Sequence, residues 1–262
     1  MPDLSIPAEV IIRSVKEQMS IFGIDKFELI PVVTDRGTNL RAAIKNNRYD
    51  CAAHILNNTI QFCMADCAEA QLVLNESKRL VKYCKSSNIQ SQLSAKLMAS
   101  NVTRWNSTYT MLRSILRSLD ELSEVLANSN QTERIEMIDF EAINELITFL
   151  KCFKKATIEL ECSTQPTMQL VIAWRRKLLK NLRTREKDSP MIVEMKAAAC
   201  EYIRRNWIIT ELHYMAQFLC PLFSHMIGFG GLIITDRRTR LLPQNLNDLL
   251  FLNSSFNDLQ IE

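Results

Sequence analysis

Val32-Val33-Thr34-Asp35-Arg36-Gly37-Thr38-Asn39 is the stretch on which the reading of this chain turns. Residues 28–34 (Glu-Leu-Ile-Pro-Val-Val-Thr) are apolar and β-branched enough for a strand. That strand ends in an acid and passes at once into a helix over 39–45, with Thr38 or Asn39 as its cap. An acid at a strand end is common in proteins, so Asp35 gains meaning only from its surroundings. Working outward, residues 8–22 read as a helix before the strand, and 48–52 as one more short strand after it.

Beyond residue 52 the texture is helical. Only five glycines occur, at positions 23, 37, 228, 230 and 231, so nothing punctuates the interior as strands would require. Trp105, Tyr109, Leu112, Leu116 and Leu119 alternate at spacings of four and three, which predicts one helix face over 107–126. Ile143, Ile147, Leu150 and Phe153 repeat the pattern. Further helices are expected over 69–98, 169–183, 191–205 and 209–218, with breaks at Ser189-Pro190 and at 164–166. Gly228-Phe229-Gly230-Gly231 reads as a linker. The short helix expected after it carries Leu246, Leu249, Leu250 and Leu252, an apolar face too large to stay wet.

A chain of 262 residues with 47% hydrophobic content has ample material for a core, as one large domain or two small ones. Its net charge of +3 does not by itself argue for nucleic-acid binding. The distribution is uneven: residues 120–162 hold ten acids and four bases, whereas 174–187 (WRRKLLKNLRTREK) hold seven bases and one acid. No apolar run approaches the ~20 residues of a membrane span and no secretory leader is visible, so a soluble intracellular protein without a membrane partner is expected. Eight cysteines at irregular spacing read as reduced core thiols rather than a disulfide framework.

The chemistry-bearing residues are few. Two-metal phosphoryl transfer needs two or three converging carboxylates, and Asp35 is one. Cys51, His54, Cys63 and Cys67 have a loose C-x2-H, C-x3-C spacing, but the run between the pairs is apolar rather than finger-like, and no metal is assigned. His213 and His225 have no partners at ligand spacing, and no Ser-His-Asp, Walker or dinucleotide pattern is present. In the basic run a continuous helix would put Arg176, Lys180, Arg183 and Lys187 on one face, suited to phosphates or simply to water.

Three blocks carry a resemblance. They are Val32 to Asn39 around Asp35, then Tyr49-Asp50-Cys51-Ala52-Ala53-His54-Ile55-Leu56-Asn57, then Val102-Thr103-Arg104-Trp105-Asn106-Ser107-Thr108-Tyr109. In this order and spacing they resemble the hAT superfamily of DNA transposases and their domesticated BED zinc-finger relatives. Ala216-Gln217-Phe218-Leu219-Cys220-Pro221-Leu222-Phe223-Ser224-His225 looks like a further family block, with Cys220 where an Asp and Leu222 where an Arg is usual. Residues 238–243 and 249–253 look like the close of the family's dimerisation region.

The resemblance implies an α+β fold, predominantly α-helical: a partial RNase H-like remnant (1–66), an all-α insertion-type domain (67–227), and a linker with a vestigial dimerisation segment (228–262). It implies that Asp35 is the second acid of an Asp-Asp-Glu triad. No stretch matching the first acid precedes it, and only a dozen residues stand where relatives carry the Glu, so Asp35 is expected to be an orphan. The resemblance makes Cys51 and His54 a structural strand-to-helix motif. It gives Arg104 and Trp105 a part in handling a flipped base, against which stands a core role for Trp105 on its amphipathic helix. Arg176, Lys180 and Arg183 are the further nucleic-acid candidates, and Leu246, Leu249 and Leu250 the dimerisation candidates.

The expected function is therefore that of a noncatalytic transposase-like protein in the nucleus, or alternatively the cytoplasm, using no cofactor although intact relatives use magnesium. Nonspecific DNA, a second copy of the chain, or a related transposase-derived protein are the expected partners. A helical protein-interaction module without DNA binding is one alternative. A DNA-cutting component whose missing acids come from a neighbouring chain is another.

Overall fold

The computed structural model describes residues 6–101 and 104–220. The expectations for Val102 and Thr103, for Pro221 to His225, for the glycine cluster, and for Leu246, Leu249 and Leu250 lie outside the described residues. Within them the order is α1 (Ala8–Ile21), β1 (Val32–Thr34), α2 (Thr38–Ala43), β2 (Arg48–Asp50), α3 (Ala52–Asp66), α4 (Ala68–Ser86), α5 (Trp105–Arg117), α6 (Leu119–Asn128), α7 (Glu133–Glu136), α8 (Phe140–Leu160), α9 (Val171–Asn181), α10 (Pro190–Asn206) and α11 (Glu211–Leu219). The chain is α-rich, with one small sheet among the described residues.

The core sits in the helical body. α3 offers Ile55, Leu56, Ile60 and Cys63, all buried, and α10 packs along it with Met191, Met195, Ala199 and Ile203. Each large apolar side chain so buried contributes roughly 1.5–3 kcal/mol. α8 adds Ile143, Leu146, Leu150 and Phe153, and α5 adds Trp105, Met111, Leu112 and Ile115. α8 starts where Asp139 accepts a hydrogen bond from the Ala142 N–H at 2.8 Å, and α10 where Ser189 caps and Pro190 opens the first turn. None of the eight cysteines is paired. No described helix is long and apolar enough to cross a membrane.

Several expected boundaries are corrected. The first strand is confined to Val32–Thr34, because Phe27–Leu29 forms a 3-10 turn that buries Phe27. The helix expected over 69–98 stops at Ser86. There the hydroxyls of Ser86 and Ser87 both donate to the Tyr83 carbonyl, competing with the helical ladder, and Asn88 turns left-handed at φ 58°. The helix expected over 107–126 breaks at buried Ser118, whose N–H is shared between Ser114 and Ile115 while its carbonyl starts α6 through Leu122. α2 begins without a side-chain cap from Thr38 or Asn39; the position before its first turn is held by Gly37.

Candidate functional site at the carboxyl ends of the parallel strands

β1 and β2 run parallel, with Val32 opposite Arg48 and Thr34 opposite Asp50. Parallel strands need a crossover, and α2 supplies it. Both strands therefore end at the same edge, Asp35 following one and Cys51 the other, and each leads into a helix. The Cys51 N–H closes the ladder on the Thr34 carbonyl at 2.8 Å.

Asp35 lies at this edge, its side chain 38% exposed. One carboxylate oxygen accepts the Gly37 N–H at 2.8 Å, which folds the Asp35-Arg36-Gly37 turn. A Cβ at position 37 would stand 2.9 Å from that oxygen, so the close approach favours glycine. The other oxygen is 3.8 Å from His54 Nε2 on the first turn of α3, and His54 is itself about half exposed. The acid of the first sequence block and the histidine of the second are thus side by side, with Cys51 half-buried at the position that precedes α3.

The neighbouring carboxylate is Asp50, and two guanidinium groups hold it. Arg36 donates to its Oδ2 from Nε at 2.9 Å and approaches from Nη2 at 2.8 Å, while Arg48 Nη1 stands 2.7 Å from Oδ1. Burial works to raise the Asp50 pKa, but the Arg48 and Arg36 guanidiniums outweigh it and hold the carboxyl below its usual range. Arg36 also reaches the end of α10, donating to the Asn206 side chain at 2.9 Å and main-chain carbonyl at 2.8 Å. Sequence reasoning missed this Arg36–Asp50–Arg48–Asn206 cluster. Its signal is the parallel register, which sets Thr34 and the residues after it beside Asp50.

A pair of divalent cations does not fit these donors. Asp50 is committed to two guanidiniums already, and one of them, Arg48, also donates to the Asp35 main-chain carbonyl at 3.2 Å. Among the described residues no three His, Cys, Asp or Glu side chains gather to hold an ion. The Cys63 thiol is wholly buried, and burial pushes it up to about 12, away from the thiolate a metal would bind.

The other candidates lie elsewhere. Arg104 is exposed. Trp105 is 1% exposed, its ring edge-on to Tyr109 at 6.4 Å, so in this arrangement it is a core side chain closed to stacking on a base. Arg176, Lys180 and Arg183 are all exposed, but α9 ends at Asn181, so Arg183 and Lys187 leave the helix and the single basic helix face is not formed. Arg175 in the same run is turned inward, donating to the Trp207 carbonyl at 2.9 Å.

His213 does find a role. Its Nδ1 accepts the Thr210 N–H at 3.1 Å, completing a capping box at the start of α11, and Tyr49 meets its ring edge-on. Burial lowers its pKa. A lowered histidine contributes stability that is complete above its unfolded value near ~6.5 and is lost as pH falls toward the folded value. Denaturant midpoints taken from pH 7.5 down to 5 should therefore decline, and His213→Asn should flatten the decline; an identical slope in the variant would remove His213 as its source.

No family model matches the chain. Among curated proteins it is similar to the Transposable element Hobo transposase of Drosophila melanogaster, 29% identical over 237 residues, which is 84% of this chain and 34% of that protein. It is also similar to Zinc finger protein 618 of Mus musculus and of Homo sapiens, each 22% identical over 176 residues, 65% of this chain and 18% of theirs. The chain thus spans about a third of the length of the transposase and less of the zinc finger proteins. The similarity to the Hobo protein supports the resemblance to hAT-type transposases read from the three sequence blocks.

Proposed function

We propose that this chain is a non-cleaving, hAT-transposase-derived protein that contacts nucleic acid through its basic surface in the nucleus. In this reading α1 to β2 correspond to a partial RNase H-like unit and the helices after them to an insertion-type body. The observation that carries the non-cleaving part is the state of Asp50: the carboxylate nearest in register to Asp35 is neutralised by Arg36 and Arg48, which leaves Asp35 as the one uncommitted acid of this edge among the described residues. Phosphoryl transfer by paired metals requires converging acids, and among the described residues no three His, Cys, Asp or Glu side chains gather at this edge. Purified chain with magnesium or manganese should neither nick nor join DNA carrying terminal inverted repeats. Cleavage abolished by Asp35→Asn would overturn the reading and favour a cutting component with acids supplied by a neighbouring chain.

The nucleic-acid part rests on the exposed bases between Trp174 and Lys187. Binding there should be indifferent to sequence and fall steeply with salt. Arg176→Glu, Lys180→Glu and Arg183→Glu together should weaken it by at least ~tenfold in a filter-binding titration at low salt, and unchanged affinity would leave this run as solvated surface.

A second reading, association with another protein, is favoured by the exposed Ile21, Phe22 and Leu29, each more than 70% exposed. Sedimentation of the full chain beside one ending at Gly231 tests it together with the dimerisation expected of Leu246, Leu249 and Leu250. A monomer in both cases would sink self-association.

A further inference from the structure

α4 carries a second basic surface, unrelated to the Trp174–Lys187 run. Lys78, Lys82 and Lys85 recur at spacings of four and three, which places them on one stripe of the helix. They line a groove of about 560 Å³ walled by Ala99 and Ser100 and floored by Val81 and Met111, both buried. No acid lines this groove among the described residues. Residues 77–88 hold four bases and no acid, and of the four only Arg79 has an ion-pair partner among the described residues, Glu76 at 2.6 Å. The ammonium groups of Lys78, Lys82 and Lys85 are left without a counter-charge there.

Lysines near a helix carboxyl end complement its dipole, and that accounts for Lys85 in the last turn. It does not account for Lys78, about two turns further back, where the dipole's influence has faded. A rise of 1.5 Å per residue spreads the three lysine stems over about 10.5 Å. A small anion cannot span that distance, whereas a nucleic-acid strand presents a charge about every 3.4 Å along the helix axis. A little beyond Ser100 in the chain, Arg104 is exposed and supplies one more cation.

We propose that the groove between α4 and the Ala99-Ser100 wall is a binding site for the phosphodiester backbone of nucleic acid, with Lys78, Lys82 and Lys85 as its phosphate ligands. This rests on the nucleic-acid reading above and adds to it a second surface, separate from the Trp174–Lys187 run. The site reads charge and not bases, because its floor is aliphatic and presents no aromatic face for stacking.

Fluorescence anisotropy of the full chain with a labelled duplex of about 20 base pairs, from about 25 to 200 mM salt, tests it. The triple variant Lys78→Gln, Lys82→Gln, Lys85→Gln keeps good helix formers along α4, and circular dichroism with a thermal melt checks its fold. The log–log salt slope should become shallower by about 2–3, at about 0.9 for each phosphate no longer neutralised, with affinity at low salt reduced at least ~tenfold. The triple variant at Arg176, Lys180 and Arg183 is run beside it. Wild-type binding with an unchanged slope in the α4 variant would overturn this site while leaving the nucleic-acid reading intact. Absence of wild-type binding at the lowest salt would overturn both. Displacement by polyglutamate as readily as by unlabelled duplex would make the groove an acidic-protein site and reject the nucleic-acid assignment.

Discussion

Replacing Trp105 by alanine is expected to cost about 3–5 kcal/mol, the range for truncating a buried tryptophan, which is a large share of the ~5–15 kcal/mol by which a domain is ordinarily stable. The indole opens α5 where that helix meets α3 and α4, is 1% exposed, and meets Tyr109 edge-on. Its main-chain N–H reaches the Asn57 side chain on α3 at 3.4 Å. Trp105→Phe keeps most of the volume and should cost less than half as much. Urea melts of the three proteins, followed by far-ultraviolet circular dichroism, decide between the two roles open to this residue. A loss below about 1 kcal/mol in Trp105→Ala, joined to abolished DNA binding, would mean that the ring leaves the core to stack on a base.

The second large effect belongs to Lys196, a charged residue with only 9% of its side chain exposed. Its ammonium meets Asp188 Oδ2 at 2.5 Å and donates to the Arg183 carbonyl, so it ties down the segment that carries Arg183, Arg185 and Lys187. Removing one partner of a buried ion pair strands the other charge, at a cost of about 3–5 kcal/mol, and Lys196→Met should show a loss of that order. Burial works to raise the Asp188 pKa, and Lys196 together with the Arg185 N–H outweighs it, leaving the carboxyl below its usual range. The stability tied to that lowering is present above the unfolded carboxylate value near ~3.9 and is lost as pH falls through the folded one. The gap between wild type and Lys196→Met should accordingly narrow below about pH 4. Equal stabilities at neutral pH would show that the pair is not buried in solution.

The parts of the fold legible in the sequence were those governed by local periodicity. Ile143, Leu150 and Phe153 could be placed on a core face from spacing alone, because burial selects apolar residues every three or four positions. Pro190 after Ser189 marked the start of α10 through chemistry contained in two residues. The misplaced boundaries had causes that spacing does not encode. Ser86, Ser87 and Ser118 interrupt helices by hydrogen-bonding choices that an apolar pattern ignores. At the candidate site, Asp35 was visible as an acid at a strand end, but what surrounds it was not. Arg36 and Asp50 are 14 residues apart, Arg36 and Asn206 170, and only tertiary structure says which charges share an edge. The basic run misled for a related reason: a helix face was projected past Asn181, where the backbone had already turned.

The hydrogen bonds between Arg36 and Asn206 bear on the order in which the molecule can be made. A ribosome adds about 5–20 residues per second, so the 170 residues between them separate their synthesis by about 8–34 s. During that interval β1 and β2 exist as a nascent two-stranded ribbon, a structure marginal in water without something to pack on. α3 is covered only in part during this time, by α4, α5 and α8, since α10, the helix that packs along it most extensively, is still unmade. The newborn chain therefore carries exposed strand edges and a partly covered apolar helix until late in elongation, which is the condition that recruits chaperones. Arg36 acts as a latch between early and late parts of the polypeptide, and it can close only once the end of α10 has left the exit tunnel.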